Sequence, residues 1–377
     1  MREDVLGRFR IHRARVYSWR VLSPSRLLRP ARRREAESAA RVASTPQAPL
    51  RVVVTQRPPS HRVRYVDQLV GDDSAGGAPA DIHLEFRDSL RDAPDADVVV
   101  LTSVSAVVGD RRVPVGERER RARRFVRALR RRRIALVRSL SGDSAAASNS
   151  GSRAEAILDQ FAMTSIVMSP AVPTRSARTT TVIPHSHLRS RFLGYPRTDA
   201  VAGRLLFLAS GTLPGAYEGP LKVFAAAAPD GWSLRVVGQV PQDLASSFAR
   251  TVNRYPATIS LCDEPLSDAA LVTEVGAAEL VVVASGTQES LAVTMLALSL
   301  DRPVLAEDTP SNRLLADEVG HDWVRLHRGP LTSATLEHEL VRFREHPAAG
   351  RPDLDARDPN AIAAQYADVF RAAASSA

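Results

Sequence analysis

The residues of this chain best suited to chemistry sit in three short polar runs, each placed directly after an apolar one. Residues 285–290 (SGTQES) follow ELVVV at 279–283 and precede an apolar, helix-length stretch at 291–300. Gly286 lets the backbone approach a bound group closely, while Ser285, Thr287 and Ser290 offer hydroxyls. Glu289 is the only acid in that run. It is suited to accepting bonds from ligand hydroxyls, or to facing water at a helix start, where the dipole favours a carboxylate. Residues 210–219 (SGTLPGAYEG) follow RLLFLA at 204–209 and open with Ser210, Gly211 and Thr212. Gly238 and Gln239 close SLRVV at 233–237 in the same way. Backbone N–H groups in such loops, at the starts of helices, are donors for an anionic group such as a diphosphate. Lys222 and Arg235 are the nearest cations.

A second set lies earlier. Arg138, Ser139, Ser141 and Asp143 belong to RSLSGDS (138–144), which ends an apolar run. Asp143 is the one group there able to act as a base, and a loop aspartate is equally at home in water. His185 and His187 form a Pro-His-x-His stretch (VIPHSHL, 182–188) that suits either contact with a ligand or the packing of a hinge. No acid or further histidine stands at a spacing useful for a metal, so no metal site is expected.

These residues need strands to carry them. Compact β-branched runs at 50–55 (LRVVVT), 97–101 (DVVVL), 134–137 (IALV), 165–168 and 181–183 alternate with a helical stripe at 116–133, in which Ala122, Phe125, Val126 and Leu129 recur. Such alternation predicts βα units and a parallel sheet. The grammar repeats from 204 onward. Strands are predicted at 204–209, 233–237, 258–261, 279–283 and 303–306, and helices at 220–228, 267–275 and 291–300. Ser267 reads as an N-cap. Residues 360–372 carry Ile362, Tyr366, Val369 and Phe370 at helical spacing, which predicts a terminal helix across the domain junction. The expected fold is α/β, with two Rossmann-like, doubly wound domains facing a cleft. The expected boundaries are a basic tail and linker over 1–48, an acceptor-side domain over 49–190, a ligand-binding domain over 191–357 and the terminal helix over 358–377.

Length and charge narrow the reading. A chain of 377 residues suits two such domains. Its formal charge is +9, but residues 1–44 hold twelve arginines against four acids, so the rest is nearly neutral. Lys222 is the only lysine. The helical stretch 116–133 carries ten arginines beside Glu117 and Glu119. That composition suits a solvated face or contact with an anionic membrane surface, to which the N-terminal tail would add. With aromatics at 5% and no recognisable motif, a nucleic-acid partner is not expected. Cys262 stands alone, which excludes an intrachain disulfide framework and thiol-held metal clusters and suits a reducing compartment. No h-region and no run of ~18 apolar residues is present. A cytoplasmic protein, peripheral at most at the inner face of the plasma membrane, is the expectation.

The stretch 280–304 (VVVASGTQESLAVTMLALSLDRPV from Val281), with NRLLADEVGHDW at 312–323, resembles the C-terminal domain of retaining GT-B glycosyltransferases. More closely, it resembles bacterial exopolysaccharide glycosyltransferases related to β-1,4-mannosyltransferases that act on polyprenyl-linked glycans. VIPHSHL stands where those proteins carry an Ile-Pro-His-Gly-His-Tyr-like stretch. The resemblance implies a hexosyl transfer from a GDP- or UDP-linked sugar to a lipid-linked or polysaccharide acceptor, with no cofactor and no divalent cation. It places Ser210, Gly211, Thr212, Lys222, Gly238, Gln239, Ser285, Gly286, Thr287, Glu289 and Ser290 on the donor, and Arg138, Ser139, Ser141, His185 and His187 on the acceptor side. Asp143, His187 and Glu289 are the candidates for the chemistry. The chain departs from that family at Pro214 and Glu218, where cations are expected, at Gln288 and Leu296, where paired glutamates are expected, and at 138–144, where a histidine is missing. Those departures admit an alternative, a weakened paralogue that binds a sugar nucleotide or scaffolds another transferase.

Overall fold

The computed structural model describes residues 48–377 apart from 56–68, 70–78, 80, 111, 141–151, 173, 175–177, 210–213, 239, 241, 265 and 285–289. The basic tail expected at the N-terminus lies outside the described residues through residue 47.

Six strands, β1 (Leu50–Val54), β2 (Ile82–Phe86), β3 (Val98–Leu101), β4 (Ala135–Leu140), β5 (Thr164–Val167) and β6 (Thr179–Val182), form one sheet in the order β2-β1-β3-β4-β5-β6. Every pairing is parallel, with Val52 opposite Val98 and Val100 opposite Val137. Parallel strands buried on both faces read as unbroken apolar runs, which is why β1, β3 and β4 were legible. Alternation then divides them. Val53, Val99 and Leu101 face α2 (Val115–Arg132) and α3 (Arg153–Phe161), packing with Phe125, Leu129 and Leu158. Val52, Val54, Val98 and Val100 face the other way. A short α1 (Ser105–Val108) precedes α2. Edge strand β2 (IHLEF) escaped the sequence reading because its residues past Ile82 are partly exposed and its pattern is mixed.

The second sheet contains β7 (Arg204–Leu208), β8 (Ser233–Val237), β9 (Ile259–Cys262), β10 (Leu280–Val282), β11 (Val304–Glu307) and β12 (Val324–His327). Its order is β12-β11-β10-β7-β8-β9, again all parallel. This is the doubly wound dinucleotide-fold order, with its reversal between β7 and β10. The helices are α4 (Pro214–Ala227), α5 (Gln242–Arg254), α6 (Asp268–Gly276), α7 (Ser290–Ser299), α8 (Pro310–Val319), α9 (Ser333–Glu345) and α10 (Pro359–Ser375). α1, α3, α5, α8 and α9, and strand β12, were not anticipated from sequence. α4 begins at Pro214 rather than at Pro220, which lies inside it, so the helix tolerates one missing N–H donor. Side-chain caps mark several starts: Ser152 accepts from Glu155 N, Ser267 from Ala270 N and Thr309 from Asn312 N.

α10 belongs to the first sheet although it follows the second. Ile362, Tyr366, Ala367 and Phe370 pack with Val52, Val54 and Val100. The chain thus passes twice between cores, once between Ile183 and Leu188 and again between Leu354 and Ile362.

Candidate functional site

The second sheet defines the site by its topology. In an open parallel sheet, ligands bind beyond the carboxyl ends of the strands at the point where the order reverses. Here β10, β7 and β8 are consecutive neighbours, so the chain leaving each emerges at one edge. Ala209 N donates to Val237 O at 2.8 Å, and Val283 N donates to Leu305 O at 2.9 Å, holding the last turns of β7 and β10 in the sheet. α4 starts at Pro214, five residues past Ala209, and α7 starts at Ser290. Two helix N-termini, the positive ends of their backbone dipoles, therefore follow the two strands that flank the reversal.

Of the residues expected on the donor, Ser210, Gly211, Thr212, Gln239, Ser285, Gly286, Thr287 and Glu289 lie outside the described residues. Ser290 opens α7, and its Oγ donates to Ala284 O at 2.6 Å, tying the helix start to the strand end. Gly238 closes β8 with φ +123°, a conformation that favours glycine, and its N–H donates to Cys262 O at 2.9 Å. Two residues on, Val240 N donates to Asp263 Oδ1 at 2.8 Å, so the turn is held from β9 by a carboxylate that sequence reasoning passed over. Its only signal was an aspartate directly after a strand. The nearest cations do not stand at this edge. Lys222 is exposed on α4, about 12 Å along the axis from the helix start at 1.5 Å per residue. Arg235 lies within β8, and its Nε and Nη2 donate to Glu274 at 3.2 and 2.8 Å. Neither of these two side chains brings positive charge to the strand ends, where a helix start offers only the positive end of its backbone dipole.

On the acceptor side, Ser141 and Asp143 lie outside the described residues. Arg138, near the end of β4, points into the protein and is 2% exposed. Its Nε donates to Asp159 Oδ1 at 2.7 Å, its Nη1 to Leu101 O at 3.2 Å and its Nη2 to Glu155 Oε1 at 3.3 Å. This guanidinium clamps α3 against β3 and β4. Ser139 is buried beside it. His185 and His187 sit where the chain crosses between the cores. His185 is buried, and its Nδ1–H donates to Ser186 O at 2.9 Å. Burial pushes its pKa down to about 4, with the cationic Arg357 acting in the same direction. His187 is also held below the usual imidazole range, by partial burial first and then by Arg189. His187 N donates to Arg357 O at 2.9 Å, and Arg357 Nη1 donates to His185 O at 3.1 Å. Arg357 Nε reaches Glu318 Oε1 at 2.7 Å. The outgoing and returning segments are therefore laced together by hydrogen bonds, a role the sequence did not assign to Arg357. Among the described residues, no group of three or more His, Cys, Asp or Glu side chains is arranged to hold a metal ion.

No protein-family profile matches the chain. Over 204 residues it is 33% identical to GDP-mannose:glycolipid 4-beta-D-mannosyltransferase of Xanthomonas campestris pv. campestris, and a second strain's protein of that name matches equally well. The matched stretch is 53% of this chain and spans 57% of the relative's length, so a little over half of each is compared. Among solved structures, sucrose-phosphate synthase from Thermosynechococcus elongatus superposes with a TM-score of 0.56 at 16% identity, covering 88% of this chain and 100% of that one. Anabaena HepE, solved in complex with UDP and glucose, superposes with a TM-score of 0.55 at 14% identity, covering 85% of this chain and 99% of that one. The fold is GT-B, with two parallel six-stranded sheets of the kind these proteins share.

Proposed function

We propose that the chain is a glycosyltransferase that moves a hexosyl unit from a nucleotide sugar to a lipid-linked or polysaccharide acceptor in exopolysaccharide or other cell-surface glycan synthesis. The observation that carries this reading is the reversal between β7 and β10, where two helix N-termini succeed the ends of adjacent strands. A diphosphate leaving group needs preorganised donors, and helix starts at this edge would supply them. Mannose from GDP-mannose is the first donor to test, because the curated relatives carry that donor and a glycolipid acceptor in their name. UDP-glucose is the second, because HepE has been solved in complex with it.

The Ser285 and Thr287 hydroxyls and backbone N–H groups at the starts of α4 and α7 would hold the diphosphate, with Ser290 fixing the start of α7 through its bond to Ala284 O. Glu289 would hold sugar or ribose hydroxyls. Arg138 would act by fixing the end of β4 rather than by touching the acceptor. No divalent cation is required in this scheme, so turnover should persist in a chelator. Transfer of radiolabelled mannose from GDP-mannose to a polyprenyl-linked glycan by the purified chain tests the reading. Turnover abolished by Gly211→Trp supports it. Saturable nucleotide-sugar binding without turnover on any acceptor favours the weakened paralogue instead. The protein is expected to work at the inner face of the plasma membrane as a peripheral protein; among the described residues no helix is long and apolar enough to cross a membrane.

A further inference from the structure

α7 ends on a residue whose backbone suits glycine. Arg302 N donates to Ala297 O at 2.9 Å and Asp301 N to Leu298 O at 3.1 Å, the pair of bonds that closes a helix through a left-handed residue. That residue is Asp301, at φ +56°. Aspartate tolerates this conformation better than most residues, yet less well than glycine, so the carboxylate is kept against backbone strain. It gathers three guanidinium groups. Arg351 Nε reaches its two oxygens at 3.1 and 3.0 Å, Arg197 Nη1 donates to Oδ2, and Arg189 Nη2 lies 3.6 Å from Oδ1. Asp301 is only 12% exposed. Burial acts to raise its pKa, but the bonds from Arg197 and Arg351 outweigh burial and hold the carboxyl below the ordinary carboxylate range.

The places of these arginines in the chain give the cluster its meaning. Arg189 and Arg197 lie on the segment that leaves the first core, and Arg351 lies on the segment that returns to it. Leu188 N donates to Ser299 Oγ at 2.8 Å, and Arg189 Nη2 donates to Pro352 O at 2.7 Å, so the two segments meet at the last turn of α7. Beyond them, Arg357 is held by Glu318 of α8. The chain joining the two cores is thereby reduced to 184–187 and 358–361. α7 links the parallel neighbours β10 and β11, so its first turn stands at the carboxyl edge of the second sheet and Asp301 at the opposite edge, with about 14 Å of helix between them at 1.5 Å per residue.

We propose that Asp301 is a positioning residue for the proposed transfer: it pins both crossing segments to the far end of the helix that opens at the donor edge, and so sets how the two sheets face each other. Without the carboxylate, Arg189, Arg197 and Arg351 would repel one another. The pKa of Arg189 is already lowered, by burial first and then by Arg351, and Asp355 is the other acid acting on it among the described residues. Segments that part would let the sheets take a range of orientations, and a misplacement of about 1 Å between reacting groups can cost on the order of 100-fold in rate. The effect on rate rests on the proposed activity; the pinning does not.

Pulsed electron–electron distance measurement on the full-length chain tests the pinning. Nitroxide labels at Arg127→Cys of α2 and Ala249→Cys of α5, both exposed positions, in a Cys262→Ser background span the two cores. The parent pair should give one narrow distance. Asp301→Gly, which removes the charge and relieves the backbone, should broaden it, and Arg197→Gln/Arg351→Gln should do the same from the other side of the cluster. Arg133→Gly relieves the left-handed cap of α2, at φ +54°, without touching the crossing, and should leave the distance narrow. Melting curves check that every variant is folded. In transfer assays Asp301→Gly should lose roughly tenfold or more in kcat, while its calorimetric affinity for GDP-mannose or UDP-glucose, whichever the parent binds, stays within about twofold, because the second sheet alone holds the donor. A merely structural residue would lower melting temperature and affinity together. Unchanged distance distributions in both charge variants overturn the proposal, as does an unchanged kcat where the parent transfers. Should the parent transfer nothing, the proposed activity falls and the distance distributions still decide the pinning.

Discussion

His185 shows how one side chain converts packing into pH dependence. It is buried at the crossing between the two cores, and its pKa is lowered from 6.5 to about 4. Below its ordinary pKa an unfolded chain takes up a proton that the folded chain refuses, so stability is present above about 6.5 and is lost as pH falls toward 4. The full loss is on the order of 3 kcal/mol. Urea denaturation between pH 7 and pH 4.5 should show that slope, and His185→Asn should flatten it whatever its effect at neutral pH. Arg138 poses the complementary case of a buried cation with two carboxylates. Arg138→Met would strand Asp159 and Glu155 with no countercharge, at an expected cost of about 3 kcal/mol in the same assay. Sequence identified Arg138 as a residue of interest but not its direction. A strand residue's side is readable from alternation, whereas its partners on α3 come from a helix the sequence did not disclose.

At the scale of elements, the strands were legible because parallel burial demands unbroken apolar runs; the helices were read chiefly from their apolar content, so α7 was found while α3 was passed over despite its Ser152 cap. α5 and α9 were missed although their stripes exist, since polar residues dominate their outer faces. Gly203, just before β7, is where an element depends on the absence of a side chain. Its φ is +70°, and a β-carbon there would lie 1.9 Å from the Gly231 carbonyl oxygen. Gly203 N also donates to Glu279. Gly203→Ala should therefore cost at least about 2 kcal/mol and lower the melting temperature by several degrees. A variant melting with the parent would show that the turn before β7 yields. At the site, Gly238 was read as a loop residue, but the carboxylate of Asp263 that holds the next turn was not. A bond between strand ends 23 residues apart leaves no local pattern.

Across the whole molecule, α10 is the element that makes two sheets interdependent. The chain leaves the second core at Leu354, and α10 then seals one face of the first with Ile362, Tyr366 and Phe370. A chain ending at Arg357 would expose that face. Such a truncation should lose the cooperative unfolding of the first sheet and expose apolar surface to a fluorescent dye, while a native-like melting curve would contradict the packing described. The lacing of His187 to Arg357 and of Arg357 to Glu318 then joins the crossing segments to the second sheet.

By itself the sequence determined the alternation of apolar strands and helices, the parallel sheets that follow from it, and the strand end at which Gly238 falls. Those properties depend on local periodicity and on chain connectivity. Only the tertiary structure decided the strand order that puts β7 between β10 and β8, the inward turn of Arg138, the pairing of Arg235 with Glu274, and the crossing of α10. Each depends on contacts between residues far apart in the chain, where the free energy of burial, rather than any neighbouring residue, selects the partner.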